Sequence, residues 1–453
     1  MKIVLIGAGS AQFGLGMMSD IFQSKILAGA EICLMDINPE TLERTAKKGR
    51  DHVEVKNLPF KISATTDRIE AVKDADFVII SIEVGDRFEL WDMDWKDPMQ
   101  FGIHQVYGEN GGAGGLFHAL RIIPPILEIC GDVVEHSNDP HVFCYSNPMT
   151  AISTTVKRKF PDLKFVGMCH EIASLAKNLP AILNTPSENI FYRAAGLNHF
   201  SVMVEASYVD SGKSAYADVM ANAPTFFENE PGYSEILSYY KKTGIIHHTE
   251  GAQDRILLDS GIPVRPWSDR TLFKYIMENF HLFPITVDSH LGEYIPWAYD
   301  VADHKGIIDF YNFYKIALAA VDEAEIVDEI RERCVYVMEG ITSDSGHEEL
   351  AVNILNDGYI PGLPEDIAVE VPAIVGADGL TGLQFPDYPR GFAALLRNYC
   401  GVYDMTATAV LNKSRDAVIQ ALLVNPVVHN CQRVPALVDH MIDRQNKWLG
   451  YLK

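Results

Sequence analysis

Apolar runs and helical stripes alternate along the N-terminal part of this chain. Residues 2–6 form a β-rich apolar run that stops at Gly7-Ala8-Gly9-Ser10, and residues 13–27 then place apolar side chains at helical spacing. The pattern repeats. A second strand is expected at 31–35, a helix at 39–55, strands at 60–63 and 77–82, a helix at 116–134, and strands at 141–145 and 165–168. Strands separated by helices imply a parallel, doubly wound sheet, so residues 1–195 are expected to form a Rossmann-type domain. The order then changes. Strand pattern at 200–208 gives way to helices and loops, including a proline-rich stretch at 254–299, and helices are expected again at 310–338 and 390–423. Residues 196–453 therefore read as an α+β domain built around an antiparallel sheet, with the site in the cleft between the two. The segment from Val84-Gly85 to Gly102 reads as irregular, dense in Asp and Trp.

Composition narrows the classes. The chain has 453 residues, 47% hydrophobic and 22% charged, which fits a globular protein with more than one core. A formal charge of −23 repels phosphate backbones and anionic lipid, so neither nucleic acid nor a membrane surface is an expected partner. No apolar run is expected to reach the roughly 20 residues that span a bilayer, and the chain enters strand pattern at once, which points to the cytoplasm. The seven cysteines are odd in number and widely spaced, against a disulfide framework or a zinc ribbon.

Two stretches carry chemistry. Gly7 and Gly9 in a strand-to-helix turn let backbone N–H groups approach a pyrophosphate, although Gln12 stands where a third glycine is usual and Gly14 follows two residues later. Asp36, at the end of the second strand, is placed to bind an adenosine ribose and to disfavour a 2′-phosphate, so NAD is expected rather than NADP. The second stretch is Cys169-His170-Glu171, directly after a buried strand, together with His199 in a similar setting. A thiolate and an imidazole meeting across two strands suit a borderline divalent cation, with positions left for a substrate to chelate. Taken alone, a buried Cys and His are more often inert. The glycine run 108–115 leads into the long helix and is read as a loop close to the cofactor or the substrate.

With these residues assembled, the chain resembles family 4 of the glycoside hydrolases, whose fold is related to lactate and malate dehydrogenases. The likeness is carried by GAGS (7–10), GENGGAGG (108–115), ALRIIP (119–124), SNP (146–148), CHE (169–171), GLNHF (196–200), DSHLGEY (288–294), VEVPAIV (369–375) and ALLVNP (421–426). The resemblance implies NAD and Mn²⁺ as cofactors, with Cys169 and His199 as metal ligands. It implies hydride removal from C3 of a sugar, loss of the C2 proton to a base, departure of the glycosidic oxygen, addition of water and return of the hydride, a route outside the two-carboxylate scheme. Asp288 matches the base position, with capping of the following helix as its alternative role and His290 and Tyr294 as the next candidates. Glu109 and His170 are candidates for the leaving-group acid or for substrate contacts, and Asn147 for contact with substrate and nicotinamide. The CHE triplet resembles the α-galacturonidase branch, for which Arg87, Arg265 and Arg270 are the available cations. An α-glucuronidase, α-glucosidase or α-galactosidase is the alternative within the family; outside it stands a hydroxy-acid dehydrogenase or a cofactor-binding protein without turnover. The fold relatives are dimers and tetramers, so a homo-oligomer is expected.

Overall fold

The structure, a computed structural model, describes residues 1–246, 257, 259–319, 325–327 and 330–453. Its strands are β1 (Lys2–Ile6), β2 (Glu31–Met35), β3 (Lys61–Thr65), β4 (Phe77–Ile80), β5 (His141–Cys144), β6 (Lys164–Gly167), β7 (Ile190–Leu197), β8 (Phe200–Tyr208), β9 (Phe283–Pro284), β10 (Glu348–Leu355), β11 (Ala368–Gly376) and β12 (Gly379–Gly382). The first six are parallel in the order β3-β2-β1-β4-β5-β6. That is the doubly wound order, with its switch point between β1 and β4, where ligands bind outside the carboxyl ends of the strands. Both faces are covered by helices, so β1, β2 and β4 are almost wholly buried, as their continuous apolar runs require.

The sheet does not stop at β6. It continues through β10, β11, β7, β8 and β9, all joined antiparallel, with β12 pairing on β11. Two junctions are narrow: β10 meets β6 at Asn353 and Gly167, and β11 meets β7 at Glu370 and Gly196. One twisted sheet thus carries the parallel and the antiparallel halves, and the polar residues at its seams become important below.

The glycine turn explains its missing third glycine. Gly7 has φ +89°, and a Cβ there would stand 1.9 Å from the Ser81 carbonyl oxygen, so only glycine fits. Residues Ala11–Leu15 then form a π-helical turn before the α-helix Gly16–Phe22. The wider turn delays the close approach, and Gly14 takes the tight position: its Cβ would lie 2.2 Å from the Ala8 carbonyl. The helix ends at Phe22 rather than at 27.

Other expectations need correction. The segment expected to be irregular contains a helix, Arg87–Gln100, capped by the Asp86 carboxylate accepting from the Glu89 amide at 2.9 Å and burying Leu90, Trp91 and Trp95. The helical stretch at 390–423 is two helices, Arg390–Asn412 and Arg415–Val424, separated where Lys413 adopts φ +53° and Ser414 caps the second. The helix Gly112–His136 has 25 residues and a window with mean hydropathy 1.3, long and apolar enough by composition to cross a bilayer. It is 83% buried in that window and packs inside the fold, as the core helix of the protein. Helices His304–Ala319 and Cys334–Ser343 overlap the two ends of the expected 310–338 region, part of which falls outside the described residues, as does the start of the 254–299 stretch.

Candidate functional site

Beyond the end of β6 the chain continues without helix through Met168, Cys169 and His170. Alternation along it turns Cys169 and Glu171 inward, whereas the His170 side chain is 71% exposed and lies 3.9 Å from Glu332 at the rim. Opposite it, β7 and β8 are joined by a two-residue hairpin, Asn198-His199, in which His199 takes φ +61°. That conformation is costly for a residue with a Cβ, and a buried network over-determines it. Glu370, on β11, accepts hydrogen bonds from Asn198 Nδ2 at 2.8 Å, Ser201 Oγ at 3.0 Å and Asn353 Nδ2 at 3.2 Å. The seam of the sheet therefore holds the hairpin against the end of β6.

The result is a compact donor set. Cys169 Sγ lies 3.5 Å from His199 Nε2, which is 3.7 Å from Glu171 Oε1, and donor atoms of the three residues all lie within 4.8 Å of one another. Glu171 Oε1 also receives Thr286 Oγ1 at 2.8 Å and His290 Nδ1 at 2.6 Å. The His199 and His290 rings stack at 4.6 Å, and His290 Nε2 reaches Glu109 Oε2 at 3.5 Å. His290 is thus a bridge between two carboxylates.

Electrostatics sort the roles. Burial lowers His199 to about 4 against the pull of Glu171, so its ring is neutral, as a ligand must be. Burial opposes the charge on His290, but its hydrogen bonds to Glu109 and Glu171 outweigh that and raise it to about 10. The same burial would raise both glutamates. For Glu109 the His290 bond and the Arg87 charge, and for Glu171 its pairing with the neighbouring imidazoles of His199 and His290, hold each at about 2. Burial, with Glu171 and Glu370 nearby, pushes the Cys169 thiol well up; a divalent cation would reverse this, since a coordinating thiol is deprotonated outright. The donor set fits such an ion: Glu171 Oε2 and His199 Nδ1 are buried without a hydrogen-bond partner, and sulfur, imidazole and carboxylate together suit a borderline divalent metal.

Glu109 stands in a braced loop. Its amide and that of Asn110 donate to Glu293 Oε1 at 2.5 and 3.0 Å, Gly112 N donates to the Tyr399 hydroxyl, and Gly114 N to Gln105 Oε1. The run 108–115 is therefore a fixed shelf rather than a linker. Burial raises Glu293 to about 8, so this brace is a carboxyl that readily stays protonated. Asn147 follows β5 with a buried, unpartnered Oδ1. In the turn after β1, Gly9 N donates to Asp36 Oδ2 at 2.8 Å, Asp36 Oδ1 accepts from Asn38 N at 2.9 Å, and Ser10 is exposed at the mouth. This cradle has the placement a dinucleotide needs: the glycine turn stands at the switch point of the sheet before a helix start, with the Asp36 carboxylate fixed beside it.

Asp288 is a correction. Its carboxylate, fully buried, accepts from Leu272 N, Phe273 N, Asp303 N and Thr271 Oγ1 at 2.9–3.0 Å, so it caps the helix Thr271–Phe280 that precedes it and is not brought to the cluster. The same short turn delivers His290 instead. Arg265 is likewise engaged elsewhere, with Asp303 at 2.8 Å and Ser234 at 2.9 Å, and Arg270 donates to the Ser268 carbonyl and lies over Phe227. Two members of the cluster, Glu171 and His290, were not assigned to it from sequence. The alternation after β6 could have found Glu171; His290 was named only as a next candidate for the base, through the DSHLGEY motif.

A doubly wound sheet with a glycine cradle at its switch point and a thiol, imidazole and carboxylate cluster at the end of β6 defines a Rossmann-type scaffold whose donor set suits a divalent metal. Residues 2–185 match the family described as "Family 4 glycosyl hydrolase", and residues 194–428 match its C-terminal domain. The chain belongs to this family, and it is a glycosidase. It is 58% identical over 452 residues to an alpha-glucosidase of Erwinia rhapontici, covering 100% of this chain and 99% of that one. An alpha-galacturonidase of Thermoanaerobacterium saccharolyticum is 25% identical, covering 99% and 96% of the two chains. Among solved structures, the 6-phospho-beta glucosidase of Thermotoga maritima with manganese, NAD⁺ and glucose-6-phosphate superposes with TM-score 0.75 over 99% of both chains at 19% identity, which shows the shared fold.

Proposed function

We propose that this protein is an α-glucosidase acting on unphosphorylated α-glucosides, with NAD and a divalent metal, manganese by family resemblance, as cofactors. The observation that carries the reading is the full-length 58% identity to an alpha-glucosidase, against 25% to an alpha-galacturonidase. The galacturonide expectation drawn from the CHE triplet yields to it. A second feature supports a neutral sugar: Arg87, Arg265 and Arg270, the cations considered for a uronate, are already held by Glu109, by Asp303, and by Ser268 with Phe227.

In this reading Cys169, Glu171 and His199 hold the metal, while Gly7, Gly9, Ser10, Asp36 and Asn147 hold the dinucleotide. When bound, the dinucleotide supplies a reversible hydride acceptor and the metal a Lewis acid for the neighbouring carbonyl. The chain's own groups do the rest. His290 carries its proton between Glu109 Oε2 and Glu171 Oε1, so it is the group set to donate toward a leaving oxygen, whereas ionised Glu109 orients it. The shelf 108–112 and the buried hairpin keep these groups fixed and exclude water around them. Seven free cysteines and an NAD-type cradle favour the cytoplasm.

The test is a panel of p-nitrophenyl α-glucoside, α-galactoside, α-glucuronide and α-galacturonide with NAD, Mn²⁺ and reductant. The glucoside is expected to have the highest kcat/KM, and both NAD removal and chelation to abolish turnover. Preference for the galacturonide would restore the triplet's reading.

A further inference from the structure

The trio Glu83, Arg87 and Glu109 is not among the residues assigned above to either cofactor, yet it lies beside the site. Glu83 follows β4 at the carboxyl end of the sheet, Arg87 opens the next helix, and Glu109 sits on the glycine shelf. Arg87 Nη2 is 2.6 Å from Glu109 Oε1, and its Nη1 is 3.8 Å from Glu83 Oε2. The guanidinium lies over both Trp91, 5.6 Å from the ring centroid, and Tyr314, at 5.1 Å, which fixes its plane while leaving the side chain one-third exposed. Glu83 is itself positioned. Its Oε1 accepts from Val84 N at 3.0 Å and lies 3.5 Å from His118 Nε2, whose other ring nitrogen contacts the Glu109 carbonyl at 2.9 Å. On the far side, Glu109 Oε2 leads through His290 to the metal cluster. Only two side chains thus separate the guanidinium from the reacting centre.

A lone arginine here would attract any sugar bearing an anion. Two carboxylates on one guanidinium reverse that: the trio carries one net negative charge, with Glu109 hydrogen-bonded to Arg87 at 2.6 Å and Glu83 paired to it by charge at 3.8 Å. We propose that Glu83 and Glu109 form a charge latch on Arg87 that excludes sugars with an anion at C6, making Glu83 a specificity-determining residue for neutral glucosides. The proposal rests on the α-glucosidase reading. Discrimination of this kind comes from a repulsive element as much as from an attractive one.

Glu83 is the half of the latch that does not touch His290, and Glu83→Gln keeps its size and its acceptor oxygen for Val84 while removing one charge. With holoenzyme in NAD and Mn²⁺, kcat/KM is measured for p-nitrophenyl α-glucoside, α-glucuronide and α-glucoside 6-phosphate. The anionic-to-neutral ratio is expected to rise roughly tenfold or more in Glu83→Gln, through KM for the anionic sugar. The gain is expected to vanish in the double variant Glu83→Gln/Arg87→Gln. The glucuronide and 6-phosphate arms separate a carboxylate from a phosphate as the anion that reaches Arg87. A ratio unchanged in both arms, or all three substrates falling in parallel, overturns the latch, because a purely structural role would move them together. Wild-type ranking tests the α-glucosidase reading separately. Should wild type turn over none of the three, titration calorimetry with glucose and glucuronate reads the same ratio in both proteins.

Discussion

The dinucleotide cradle and the metal cluster are built in opposite ways. The cradle comes from contiguous residues and the next parallel strand: Gly7 and Ala8 both donate to the Met35 carbonyl, and Gly9 donates to Asp36 one residue further on. The cluster draws Glu109, Cys169, Glu171, His199 and His290 from four separate parts of the chain, and its support, Glu370, from a fifth. A site made from one turn and one strand pairing is encoded by local pattern. A site made at the seams of a sheet depends on which distant strands become neighbours, and it carries buried charge that only those neighbours can satisfy.

The strongest way to break this contrast is to remove a ligand. Cys169→Ser and His199→Ala are each expected to lower bound metal and to reduce turnover on the order of a hundredfold or more, with little change in the melting midpoint. Elemental analysis and steady-state kinetics check this. Unchanged metal content in both variants would show that the cluster is only a buried polar contact.

Asp288 sharpens the contrast, because the family resemblance matched it to the base, with a cap as its alternative, and the fold assigns it to a cap. In Asp288→Asn the amide group would face donors that now find a carboxylate, so a loss of about 1–3 kcal/mol of stability is expected, with specific activity of the folded protein within about tenfold of wild type. Denaturant melts and kinetics on the same preparations decide it. A loss of about two to four orders of magnitude at unchanged stability would return Asp288 to the base position.

A third test concerns the seam itself. Burial raises Glu370 to about 7 from 4.5, against hydrogen bonds from Asn198, Asn353 and Ser201. A carboxyl with a raised folded-state pKa takes up a proton on folding, so its favourable contribution is present below the unfolded value and is lost as pH rises toward the folded one. Chelated protein is therefore expected to lose up to about 3 kcal/mol between pH 4.5 and 7 from this group, and Glu370→Gln to flatten that part of the curve. Thermal melts of both proteins across this range measure it. An identical slope in the variant assigns the pH dependence to other carboxyls.

The amino-acid sequence by itself determined the alternation of strands and helices and the glycine cradle with Asp36, because each follows from periodicity or from a motif whose geometry is local, whereas the pair Cys169 and His199 was reached through the family resemblance. It left open which of two neighbours does the chemistry. Asp288 lies two residues from His290, yet one caps a helix and the other joins two carboxylates at the site. The π-turn that lets Gly14 replace the missing glycine, the joining of the two halves into one sheet at Asn353 and Glu370, and the capture of Arg87 by Glu83 and Glu109 were decided only by tertiary structure. For the last two the physical reason is the same. Buried polar groups must find partners, and when those partners lie far along the chain, no local pattern records which ones the fold will bring within reach.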